Sequence, residues 1–345
     1  MMKKEGLKTS VSNLLPKRQV ISAGTLLDAV EIKPLKSTSM LLTIDMEESF
    51  DWDEPESSEH SSGEISGLKV FHSKCINRKI TPLYLATYQI LKNPVAVAFL
   101  RDAHKKNECE IGIHLHSWNT PPKLDVEESF QCNLSLENEK LKLDSLVNQY
   151  IEVFGCKPLV HRAGRYGVDY SSFENLAALG IKIDLSPSAG FDFSCKGGPS
   201  FKTIDNKAKW GDETQNLLCV PVPYSMFSRG PDLITKHFQF ISKHIFSCEA
   251  VRLSPEGNTA SRMKILTKNL IKEQLDSLIV TVHSTSFEDG ENPYSTGDGK
   301  VEKLMDTLFE YLDWCLVDMK IAPIKTEQLW QAYSDKKFNC EEKII

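Results

Sequence analysis

No stretch of this 345-residue chain stays apolar for the roughly 20 residues that a membrane-crossing helix needs. The N-terminus is basic (Lys3, Lys4, Lys8, Lys17, Arg18), but Leu14-Leu15 and Val20-Ile21 are too short to form the apolar core of a signal peptide. No Cys-x-x-Cys pair occurs. The nine cysteines (Cys75, Cys109, Cys132, Cys156, Cys195, Cys219, Cys248, Cys315, Cys340) are dispersed and odd in number, which argues against a disulfide framework and for free thiols in a reducing compartment. Positive charge is not in excess: the net charge is -6, whereas a nucleic-acid partner requires a basic surface. Internal repeats are also lacking. The expectation is a soluble, cytoplasmic protein without a transmembrane segment and without nucleic acid as its main partner.

Residues 1–38 read as a polar leader, 39–335 as one catalytic domain and 336–345 as a tail. Ser39–Asp45 is an apolar strand that ends in an acid, and Asp53–Ser66 is an acidic, serine-rich loop. Thr81-Pro82 is expected to start a helix through Leu83, Leu85, Ala86, Ile90 and Leu91. Val95–Leu100 suits either a helix after Pro94 or a strand. Glu137–Phe154 is an amphipathic helix closed by Gly155, and Ser171 or Ser172 caps a short helix through Leu179. Ile181–Leu185, Leu217–Pro223 and Leu278–His283 are strands; 231–246, 261–275 and Val301–Met319 are helices. Strands alternating with helices predict βα units and a parallel sheet.

Glu110–Pro122 is the most informative stretch. Ile111, Ile113 and Leu115 alternate with Gly112, His114 and His116, the period of a strand, so both histidines face one side before Pro121-Pro122 stops the ladder. Two imidazoles so placed can ligate a metal. Asp45 and Glu47 also share a side; one can ligate while the other takes a proton from water. His283 ends a third strand and can serve as general acid. Arg162 and Arg165 flank Gly164, and either can pair with a catalytic carboxylate or bind a phosphate or carboxylate of a substrate. Trp52, Trp118 and Tyr166 lie beside these residues, and their faces suit sugar rings. In a parallel sheet, the C-terminal strand ends that carry these residues share one face.

Taken together, Leu42–Trp52, Glu110–Pro122, His161–Gly167, Gly197–Phe201 and His283-Ser284 through Asn292-Pro293-Tyr294 resemble the NodB-homology polysaccharide deacetylases (carbohydrate esterase family 4), and within them the WalW-type branch. The resemblance implies an α/β fold, a distorted (β/α) barrel of about seven parallel strands. It also implies a divalent metal, usually zinc, and hydrolysis of an N-acyl group on a sugar. Asp45 falls at the catalytic base, Arg162 at the arginine that orients it, and His283 at the late acid. Glu47 and His114 fall at metal ligands. Met46 stands where the family has its second aspartate, so Glu47 becomes the acidic ligand. Trp118 stands where the second metal histidine is usual, so His116 is expected to replace it. Trp52, Trp118, Arg165 and Tyr166 are expected to contact the substrate, an N-acetylated sugar or glycan precursor. Two other readings stand beside this one: a metal-independent amide or ureide hydrolase of the same superfamily, and a non-catalytic carbohydrate-binding protein on a decayed deacetylase fold.

Overall fold

The structure, a computed structural model, describes residues 37–55, 65–125, 128–228 and 248–334. In chain order its elements are β1 (Ser39–Met46), α1 (Ser66–Asn77), β2 (Leu83–Ala86), α2 (Tyr88–Lys92), α3 (Pro94–Lys105), β3 (Glu110–Leu115), α4 (Leu136–Phe154), β4 (Val160–Ala163), α5 (Tyr170–Ala178) and β5 (Ile183–Asp184). They continue with β6 (Lys209–Trp210), β7 (Leu218–Cys219), β8 (Tyr224–Ser228), β9 (Cys248–Arg252), α6 (Ala260–Lys272), β10 (Ser277–His283), α7 (Lys300–Val317), β11 (Ala322–Pro323) and α8 (Thr326–Tyr333).

One curled sheet runs β10-β1-β2-β3-β4-β5-β7-β6, with β11 added against β1. Neighbours from β10 to β7 are all parallel, which gives seven consecutive parallel strands; only β6 turns antiparallel at the edge. This is the expected distorted barrel. A separate antiparallel ribbon, β8–β9, lies outside that sheet. Val222, just before the ribbon, donates to the Pro187 carbonyl beyond β5, and Thr281 of β10 donates to the Leu253 carbonyl just after it. The ribbon's ends are thereby tied to both halves of the sheet.

β1 is buried along its whole length because β10 and β2 flank it and the sheet is covered on both faces. β2 is also fully buried, so Leu83-Tyr84-Leu85-Ala86 shows no polar alternation. That uniform apolarity fits a helix equally well in sequence. The helix expected from Thr81 is a strand, and the capping hydroxyl is that of Thr87, which accepts from the Ile90 N–H. Asn93 then caps α3, its Oδ1 accepting from Val95 and Ala96 N–H groups, with Pro94 at the first helical position. Val95–Leu100 is therefore helical. α1 begins at Ser66, at the end of what reads as loop in sequence. α5 is capped by Asp169, whose carboxylate accepts from the Ser172 N–H, rather than by either serine.

α4 matches its expected span, with Leu143, Leu146, Val147, Tyr150 and Val153 buried and Gly155 at φ 71°, the left-handed conformation of a helix stop. β7 is shorter than Leu217–Pro223 because Pro221 and Pro223 offer no N–H to a ladder. α6 and α7 occupy the expected ranges. The helix expected at 231–246 and the tail from 336 lie outside the described residues, as does the leader up to residue 36.

Candidate active site

The register of the parallel sheet assembles the site. Asp45 at the end of β1 is the direct partner of His283 at the end of β10, and His114 of β3 is the partner of Arg162 on β4. Residues 48 and 238 positions apart in sequence thus meet at one edge. Asp45, Glu47, His114, His116 and His283 line a cavity of about 380 Å³.

Arg162 is completely buried and spans the barrel interior. Its Nη1 donates to Asp45 Oδ1 at 2.5 Å, its Nη2 to Thr43 Oγ1 at 3.0 Å and its Nε to the Leu185 carbonyl at 3.1 Å. Burial alone would raise the Asp45 pKa, but the Arg162 guanidinium, helped by His114 and His283, outweighs it and holds the carboxyl at about 2. Asp45 is therefore ionised at neutral pH, and Arg162 orients it.

Glu47, His114 and His116 are buried, and one donor atom from each lies within 4.8 Å of the others. His116 Nε2 is 3.2 Å from Glu47 Oε2, and His114 Nε2 is 3.8 Å from the same oxygen. The other ring nitrogens are spoken for. His114 Nδ1 faces the Arg162 carbonyl at 3.0 Å, which only accepts, so Nδ1 carries the proton and Nε2 presents its lone pair. His116 Nδ1 meets Glu48 Oε1 at 2.8 Å. Burial would lower the His116 pKa, but Glu48 and Glu47 outweigh burial and raise it to about 9. Burial draws His114 down to about 3. It also raises the Glu47 pKa.

This donor set fits a divalent metal. Glu47 Oε1 is buried without a hydrogen-bond partner, and a cation between the carboxylate and two Nε2 atoms would satisfy it. The Nδ1 contacts to a carbonyl and a carboxylate are the supporting bonds such histidines require. The cluster draws its second imidazole from His116 and its carboxylate from Glu47.

Glu48 was hidden among the acids that follow Asp45. Completely buried, it accepts from His116, from Thr87 Oγ1 at 2.6 Å and from Asn119 Nδ2. Glu256 gave less signal still. It lies 27 residues before His283, in Ser254-Pro255-Glu256-Gly257-Asn258, which reads as a polar turn. Its carboxylate meets His283 Nδ1 at 2.9 Å and accepts from the His283 N–H at 2.9 Å and from Ser286 Oγ at 2.6 Å. Burial disfavours the imidazolium of His283, but Glu256 and Glu47 outweigh burial and raise its pKa well above the ordinary value. His283 Nε2 faces Asp45 Oδ2 at 3.9 Å.

The aromatic residues divide. Trp118, 1% exposed, stacks on His116 at 4.2 Å and 25°, and Phe50 meets the same imidazole edge-on at 5.2 Å. These rings wall the histidine. Trp52 is 4.7 Å from the His283 ring and 5.8 Å from Tyr294, which is 37% exposed, so this pair presents rings to the opening. Arg165 and Tyr166 sit at φ 54° and 59°, two consecutive side-chain-bearing residues in the left-handed region, which costs about 1–3 kcal/mol each. Both line the cavity. Gly164 precedes them because a Cβ there would stand 2.8 Å from His116 Cδ2 and 2.9 Å from the Leu115 carbonyl oxygen.

No protein-family model matches the chain, and no curated protein matches it. Among solved structures, a Mycobacterium smegmatis protein assigned as a polysaccharide deacetylase is similar at a TM-score of 0.51 and 12% identity, covering 92% of this chain and 95% of that one. PuuE allantoinase is similar at 0.50 and 11% identity, covering 86% and 89%. A 4-alpha-glucanotransferase from Thermococcus litoralis is similar at 0.51 and 10% identity, covering 87% of this chain and 41% of that enzyme. Identities this low establish a shared fold, the distorted (β/α) barrel, and the three differ in chemistry, so activity is argued from the residues of the site.

Proposed function

We propose that the protein is a hydrolase that removes an N-acyl group, acetyl in the simplest case, from an amino sugar, with Glu47, His114 and His116 holding a divalent metal, zinc by the chemistry of the donors. The observation that carries the reading is the convergence of this buried donor set with an ionised, arginine-held Asp45 and a protonated His283. When bound, the cation supplies Lewis acidity toward the acyl oxygen and toward water. That contribution is needed, because a carboxylate with a pKa of about 2 is too weak a base to deprotonate ordinary water.

Asp45 takes the proton of the attacking water as its oxygen bonds to the acyl carbon. Arg162 keeps the base ionised and aimed. His283, kept protonated by Glu256, gives its proton to the amine as the C–N bond breaks. Trp52, Tyr294 and Tyr166 offer ring faces to a sugar, and Trp118 supports the substrate side through His116. The sequence likeness to the WalW-type branch points to a surface-polysaccharide or glycoconjugate precursor as the carrier of the amide. No helix among the described residues is long and apolar enough to cross a membrane.

A metal-independent amide or ureide hydrolase is the second reading. It is favoured by His116, which between Glu47 and Glu48 forms a charge-matched group with a proton where the cation would sit. Acetate release from N-acetylated sugars, measured before and after chelation and after return of zinc, separates the two. Loss and recovery support the metal reading; release indifferent to chelation supports the second.

A further inference from the structure

Arg165, Lys196 and Arg252 line the same cavity as the hydrolytic residues. The charges of the hydrolytic residues are already matched: Arg162 with Asp45, Glu48 with His116, and Glu256 with His283. Arg252 is different. Its guanidinium carbon stands 4.9 Å from the Tyr166 ring centroid and 5.0 Å from that of Phe191. The two rings hold the cation by its carbon, while its N–H donors stay available for hydrogen bonds. Nη1 is buried and has no hydrogen-bond partner, and Arg252 forms no ion pair among the described residues.

A half-buried cation held against two rings, with one N–H donor out of water and short of an acceptor, is prepared for an anion. Ring contacts limit its rotamers, so an oxyanion that reaches it gains charge-assisted hydrogen bonds and answers the bare Nη1. Arg165 stands over Phe130 at 4.6 Å on the same wall, next to the strained turn that also presents Tyr166. Lys196 is exposed. One carboxylate outside the matched pairs and the metal donors, that of Asp53, also lines the cavity, and it too is exposed.

We propose that the amide substrate also carries an oxyanion, a phosphoryl or carboxyl group, and that Arg252 is the residue that selects it, with Arg165 and Lys196 in support. A neutral glycan would leave this cation unanswered. The inference rests on the amide-hydrolase reading for its substrate class, but the selection itself is a binding property and is tested as one.

Calorimetric titration of the zinc-reconstituted protein with N-acetylglucosamine, N-acetylglucosamine 1-phosphate and N-acetylmuramic acid, with acetate release measured on the same three, tests it. At least one anionic sugar is expected to bind about tenfold or more tightly than the neutral one, a difference of about 1.4 kcal/mol. Which of the two does so identifies the oxyanion. Arg252→Gln is expected to erase most of that preference. Should the variant lose its native circular dichroism, Lys196→Gln at an exposed position is expected to reduce the preference measurably. Equal binding of all three, binding of none, or a preference untouched by these substitutions (as when phosphate seats on the metal alone) overturns the proposal. An Arg252-dependent preference without acetate release keeps the oxyanion site and rejects the hydrolase reading. Acetate release with no anionic preference does the reverse.

Discussion

Glu256 Oε2 lies 2.9 Å from His283 Nδ1, although 27 residues and a whole helix separate them in the chain. Burial works against both charges, yet the pair keeps His283 protonated well above its ordinary range and Glu256 ionised below its own. Glu256→Gln removes the counter-charge. The His283 pKa then falls from its raised value, and the alkaline limb of kcat/KM moves to lower pH. A pH–rate profile measures this; an unmoved alkaline limb would mean that His283 is not the acid.

The same pair has a signature in stability. Because the His283 pKa is raised by folding, its contribution is present below about pH 6.5 and is lost as pH rises through the raised value. Because the Glu256 pKa is lowered, its contribution is present above about pH 4.3 and is lost as pH falls through the depressed value. Denaturant unfolding of wild type against Glu256→Gln is expected to show the largest difference where both contributions are present, between about pH 4.3 and 6.5.

Asp45→Asn keeps the shape of the base but not its charge. Turnover is expected to fall by about 10²–10⁴-fold, the usual worth of a general base. Either Asp45→Asn or Asp45→Ala leaves the buried Arg162 without its counter-ion and is expected to cost about 3–5 kcal/mol in unfolding free energy. Circular dichroism with denaturant titration separates lost turnover from lost fold. In the wild type, the drop of the Asp45 pKa from 3.8 to about 2 represents about 2 kcal/mol of stability, present above pH 3.8 and lost as pH falls toward 2.

Glu48→Gln tests the support of His116. Its carboxylate holds the Nδ1 side of the imidazole, and removal of such a partner costs about 10–100-fold in metal affinity. Competition with a chromogenic chelator measures it. Lys142→Met tests the wall behind the same histidine. The buried Nζ donates to the Thr120 and Pro122 carbonyls, and each acceptor left bare costs about 1–3 kcal/mol, read as a lowered unfolding midpoint.

Much of this was legible in the sequence. The period-2 run at Glu110–Leu115 and the acid at the end of Ser39–Asp45 are strand signals that survive tertiary packing, because the inward positions carry the functional residues. β2 reads as helix in sequence because a strand buried on both faces has no alternation, and its four apolar residues are indistinguishable from part of a helix. Glu48 looked like one acid of a solvated run; only the fold shows it buried against Thr87, Asn119 and His116. Glu256 and Arg252 gave no pattern at all, since their roles depend on where the β8–β9 ribbon and the turn after it meet the sheet. Trp118 reads as a ring beside polar residues in sequence, but its stacking on His116 depends on how the chain turns after β3.

The proposed hydrolysis requires Glu47, His114 and His116, which stand close enough to share a cation, to hold a divalent metal. The most direct test is elemental analysis of the purified protein after zinc reconstitution and desalting, beside a His114→Ala/His116→Ala control. Near-stoichiometric zinc is expected in the wild type, and its loss in the control. Zinc absent from both, or equal in both, would contradict it.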